Sequence, residues 1–177
     1  MQIIFKRISN THHILRIVRP DGTGDQVKCE TRSSWRHDLV HYAVESEARL
    51  TGGFWGLLAG GYSLSDLNDR SGKSIRNDSS EIMTIEAVVG ATQGFLASNS
   101  YRSGTEFIDT LRSQGDAFPQ PDWFTKEFVE RVSERVRQLV GRWNAVRFGE
   151  EMTLEWPGPS DTVRQGDTGT PANGSER

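Results

Sequence analysis

Apolar and polar residues alternate along the first thirty positions and then change period. "QIIFKRI" (2–8) and "HHILRIV" (12–18) are rich in β-branched and aromatic residues. "QVKCETR" (26–32) sets Val27, Cys29 and Thr31 on one face against Lys28 and Glu30 on the other. Between them Pro20, Asp21 and Gly22 mark a turn, since Pro fixes φ and Gly accepts a positive one. Three strands joined by short turns predict an antiparallel meander. Ser33 and Ser34 then offer an N-cap, and a helical pattern runs from Trp35 to about Leu50, stopped by Gly52 and Gly53. "FWGLLA" (54–59) reads as a short helix or buried turn, and "SLSDLNDRSGKSIRNDSS" (63–80) as an exposed polar loop.

Two capping boxes follow. Asp78 with Glu81 opens a helix over "EIMTIEAVVGATQGFLAS", and Ser103 with Glu106 opens one over "TEFIDTLRSQ". The longest helix is expected from about Trp123 to Val146, with Phe128, Val132, Val136, Leu139, Val140 and Trp143 at helical spacing and Gly149 ending it. "EMTLEWP" alternates Met152, Leu154 and Trp156, a last strand that returns to the N-terminal sheet. The order predicts one α+β domain over residues 1–156: an N-terminal meander plus a C-terminal strand, packed against four to five helices. Beyond it, residues 157–177 contain Val163 as their sole strongly apolar residue and read as a disordered tail.

Composition narrows the partners. The net charge is −3 and no basic block stands out, so neither nucleic acid nor an anionic membrane surface is expected. Cys29 is the single cysteine, which excludes an internal disulfide and cysteine-rich zinc sites and suits a reducing, cytoplasmic setting. "MQIIFKRISN" does not read as a signal peptide. "GGFWGLLAGG", the most apolar run, is about half the length a spanning helix needs.

The sharpest chemical feature is "HDLVHYAVE", residues 37–45. On a helix advancing about 100° per residue, His37, His41, Glu45 and Asp38 fall in one sector beside the apolar face of Leu39, Val40, Ala43 and Val44. Histidines four apart lie on one side of a helix, a spacing that lets both imidazoles bind one Zn²⁺. In the first turn the helix dipole opposes protonation of His37, and a metal needs the neutral ring. Asp38 and Glu45 are candidates to orient an imidazole, and Glu45 is also a candidate ligand. The competing reading is a solvated polar helix face that carries histidines without using them.

"HDLVH" resembles the HExxH signature of zincin metallopeptidases, with Asp38 where that family has glutamate. The resemblance spans five residues. It implies zinc on His37 and His41 and a water-activating carboxylate at Asp38, one methylene shorter than the family's. The third histidine of the elongated zincin motifs is absent. The stretch from "HDLVHYAVE" to "GFWGLLAGG" is also similar to a set of bacterial proteins with no assigned activity, and that likeness implies no function. Glutamate-type zincins take a third ligand from a following helix. Here that helix offers Glu86, which borders the buried face set by Ile82, Ile85, Val89 and Leu96. Glu86 is the first choice for third ligand and Glu45 the second.

Other groups read more plainly. His12 and His13 are expected to be exposed at a strand end, and Cys29 to be a small core residue. "SGKS" (71–74) is a fragment of a phosphate loop without its preceding strand. Two functional readings result. In the first, a metal-dependent hydrolase holds Zn²⁺ with His37, His41 and Glu86, and Asp38 or Glu45 is the base. In the second, a non-catalytic module presents Phe54–Trp55 or a helix face to a protein partner, or to a second copy of itself as a homodimer.

Overall fold

The computed structural model describes residues 1–68, 80–97, 103–113, 115 and 118–157. Three strands, β1 (Gln2–Arg7), β2 (His12–Val18) and β3 (Gly24–Glu30), form the expected meander. The last strand, β4 (Glu151–Glu155), returns to pair with β1. All pairs are antiparallel, in the order β3-β2-β1-β4. The register places Ile3 opposite both Ile17 and Leu154, and Phe5 opposite both Leu15 and Met152. One sheet face is thereby apolar across its width. Gly22 takes φ 82° in the turn before β3, where a side chain would be strained.

Among the described residues there are six α-helices: α1 (Arg36–Ala48), α2 (Phe54–Ala59), α3 (Leu64–Asn68), α4 (Ser80–Ala97), α5 (Gly104–Arg112) and α6 (Lys126–Ala145). Of these, α1, α2, α3 and α6 pack on that face, while α4 and α5 pack against other helices. The architecture is α+β, as the order of periodicities predicts. Several boundaries move. The chain enters α1 through a π-helical turn, Thr31–Trp35, which puts Trp35 at the N-cap with no side-chain cap; Ser34 Oγ instead donates to Glu30 O. α1 ends before the glycines, with Arg49 left-handed at φ 54°. The polar loop contains α3, anchored by Leu64, which is buried. α6 starts at Lys126 rather than Trp123, because Thr125 accepts from Phe128 N and caps it. Ser103 accepts from Glu106 N at the start of α5, as expected. Asp78, the "SGKS" fragment and the tail from residue 158 lie outside the described residues. Among the described residues, no helix is long and apolar enough to cross a membrane.

The core has two parts, and α1 belongs to both. Leu39 and Tyr42 pack with Phe5, Leu15, Trp55 and Trp143 against the sheet. Val40, Ala43 and Val44 pack with Val88, Val89, Phe128 and Val132 among the helices. Every residue from Leu39 to Glu45 is buried. α1 is thus a central helix, and at His41 and Glu45 its polar sector faces protein rather than bulk water.

Candidate metal centre

The central position of α1 decides what its histidines meet. His41 is 2 % exposed and Glu45 0 %. His37, one turn earlier, is partly exposed, and the two imidazole centroids are 4.5 Å apart. The solvated-face reading therefore fails for His41 and Glu45.

Glu45 is held by three donors. Its Oε1 lies 2.9 Å from His41 Nδ1. Its Oε2 accepts from Trp55 N at 2.9 Å and from Gly56 N at 3.3 Å, in the first turn of α2. Removing a carboxylate from water costs several kcal/mol, and these donors offset that cost. Gly53 has a steric reason here: a Cβ at this position would fall on the Glu45 carboxylate. Gly53, which looks like part of a helix stop in the sequence, lets a buried carboxylate approach the backbone of α2.

The opposite edge of the His41 ring faces α4. His41 Nε2 is 3.5 Å from Glu86 Oε2. Burial by itself would lower the His41 pKa. The hydrogen bonds and charges of Glu45 and Glu86 outweigh it and raise the ring to about 9. The same contact with His41 holds the Glu86 carboxyl below its ordinary range. In this form a proton on Nε2 sits between His41 and Glu86.

His37, His41 and Glu86 each offer a donor atom, and these atoms lie within 4.8 Å of one another. Donors around a tetrahedral zinc are about 3.4 Å apart, given bond lengths near 2.0–2.1 Å. The His41–Glu86 separation already matches. His37 and Glu86 both have solvent-exposed side chains, while His41 is buried. Asp38 flanks the trio, its Oδ1 3.8 Å from His37 Nδ1.

A cavity of about 260 Å³ adjoins the trio, with His37, Asp38, His41 and Glu86 in its wall. Cys29 is also in this wall. Burial and the nearby Asp38 charge both push its thiol pKa up, against a weaker hydrogen bond from Ser34, so it stays protonated.

The structure corrects one expectation outside this site. His13 is not an exposed strand-end residue: it is fully buried on the core face of β2, between Phe5 and Trp143, with ring centroids 5.8 Å from each. Strand alternation carried the signal, because His13 shares its face with Leu15 and Ile17. Trp55 is fully buried, as its reading as a core residue predicts, and its indole N–H donates to Asp38 O, while Phe54 and Leu57 of the same segment are half-buried.

A scan against protein-family models and searches of curated proteins and solved structures find no match to this chain. The zincin resemblance thus rests on the five residues alone.

Proposed function

We propose that this protein is a metal-dependent hydrolase that holds a zinc-class divalent ion with His37, His41 and Glu86. One observation carries the reading: the three donor groups, from two helices distant in sequence, converge within 4.8 Å beside a cavity. A bound ion would polarise a substrate carbonyl and lower the pKa of water in its open position. His41 is preset for such an ion, since Glu45 occupies Nδ1 and leaves Nε2 directed at Glu86. Asp38 is the base, because it lines the cavity beside His37. Glu45 is a positioning residue rather than a base: its carboxylate already accepts three hydrogen bonds and has no exposed surface.

The charge balance and the lone cysteine support a cytoplasmic protein without nucleic-acid or membrane partners. The alternative is a non-catalytic interaction module; burial of Trp55 removes one residue of the patch it would present, and Phe54 and Leu57 are half-buried.

Metal content by plasma mass spectrometry tests the proposal, on untagged protein purified without chelator and then reconstituted with Zn²⁺. About one equivalent per chain is expected, absent from the His37→Ala/His41→Ala double variant. Metal far below one equivalent, or equal amounts in both proteins, would sink it.

A further inference from the structure

The cavity beside the trio has a composition that selects among substrates. Leu15 from β2, Val27 from β3, Phe54 from α2, and Leu64 and Leu67 from α3 make its apolar wall. Leu15 and Leu64 are nearly fully buried, so the space reaches into the core, while His37 and Glu86 are open to solvent. An apolar cavity of about 150 Å³ accommodates benzene, so about 260 Å³ takes a group of roughly eight to ten heavy atoms.

Charge is the second constraint. Asp38 and Glu86 are the acidic side chains of the wall, and among the described residues no Lys or Arg lines it. A divalent ion bound by Glu86 would retain one positive charge, and Asp38 balances that. A substrate carboxylate or phosphate would find no cation of its own and two carboxylates nearby, an arrangement that costs binding energy.

From these two constraints, and resting on the metal-dependent reading above, we infer that the substrate is a small uncharged amide or ester whose acyl chain is short and apolar. The acyl chain fills the cavity and the carbonyl lies at the His37–His41–Glu86 trio. Hydrolysis adds the oxygen of water to the carbonyl carbon, breaks its bond to nitrogen or oxygen, and transfers a proton of water to the leaving group. The products are a carboxylic acid and an amine or alcohol. The acid product ionises, and the same two carboxylates that disfavour anionic substrates then favour its release.

The test uses three hydroxamates as probes on zinc-loaded protein, with zinc content measured first in every sample. Butyrohydroxamate carries a short apolar chain, succinic monohydroxamate a carboxylate in its place, and acetohydroxamate a single methyl. Butyrohydroxamate is expected to bind at least tenfold more tightly than the succinic probe. Leu67→Trp fills the cavity from α3. It is expected to weaken butyrohydroxamate at least tenfold, while zinc content and acetohydroxamate binding are unchanged. Should Leu67→Trp fail to fold by circular dichroism, Val27→Phe obstructs the same space from β3 with the same expectation. Equal or tighter binding of the succinic probe overturns the inference and leaves the metal reading standing. So does unaltered butyrohydroxamate binding in a folded, zinc-loaded cavity variant. Protein that retains no zinc overturns the metal reading, and this inference with it.

Discussion

His41 and His13 are both buried imidazoles, yet they sit in opposite electrostatic settings. His41 has a carboxylate at each nitrogen, Glu45 at Nδ1 and Glu86 at Nε2. His13 has the Thr31 hydroxyl at Nδ1, 3.2 Å away, and among the described residues no partner at Nε2. Its pKa is lowered, chiefly by burial, which the Asp38 charge opposes only in part. The contrast teaches that burial alone does not make a histidine functional. What its second nitrogen faces decides: a carboxylate beside a cavity at His41, aromatic rings at His13.

The most severe break in this contrast comes from removing Glu45. Glu45→Ala leaves His41 Nδ1 and the amides of Trp55 and Gly56 without their acceptor inside the core. Breaking a buried charge pair from one side costs roughly 3–5 kcal/mol. Urea denaturation of the metal-free protein is expected to show a loss of that size. Glu45→Gln, which keeps most of the shape, should weaken zinc binding about 10- to 100-fold, as loss of an orienting carboxylate does. A stability loss under about 1 kcal/mol for Glu45→Ala would mean that His41 is held by its packing and not by its carboxylates.

The two histidines should also tilt the pH profile of stability in opposite directions. In metal-free protein the folded His41 pKa, about 9, lies above its ordinary 6.5. The folded state therefore binds this proton more tightly than the unfolded chain does. The contribution is complete below pH 6.5, declines between 6.5 and 9, and is gone above that. At about 1.4 kcal/mol per pH unit it is on the order of 3 kcal/mol. For His13 the folded pKa is lowered, so stability is lost as pH falls below 6.5, where the unfolded chain takes up a proton that the folded ring resists. Urea titrations across pH 5–10 are expected to show His41→Gln flattening the alkaline side. A variant with the wild-type alkaline slope would remove His41 as its source.

Much of this was legible in the sequence, for reasons that also explain the failures. Alternation fixed the strands because each buries one face, and Met152 and Leu154 announced β4 although their partners lie at the opposite end of the chain. Helical spacing put His37 and His41 on one side of a helix, and Glu86 joined them through the zincin resemblance together with its place at the border of an apolar face. The same local rules failed where the tertiary structure reassigns an environment. α1 is buried on nearly all sides, so a sector that reads as polar surface encloses Glu45. Three backbone and side-chain donors then claim Glu45, and two of them belong to α2, ten and eleven residues on. No periodicity announces that contact. His13 was misread for a different reason. Its hydrophilic side chain overrode the alternation with Leu15 and Ile17 that places it inside.

The smallest effect sharpens the contrast from the other side. His13→Phe keeps a flat ring between Phe5 and Trp143 and removes a buried nitrogen without a partner. An unsatisfied buried polar group costs about 1–3 kcal/mol, which the variant recovers. Against that, it gives up the bond to Thr31, worth about 1 kcal/mol, and adds a slightly larger ring to a packed core. Thr31 is 8 % exposed, and a small repacking there lets water reach its hydroxyl. These opposing effects predict a change within about 1 kcal/mol in either direction, together with a flatter acid limb. Differential scanning calorimetry at pH 7, beside the urea series, measures both. A loss of 3 kcal/mol or more would mean that the Nε2 of His13 has a partner of its own, such as an ordered water. The two histidines would then differ in the strength of their partners and not in kind.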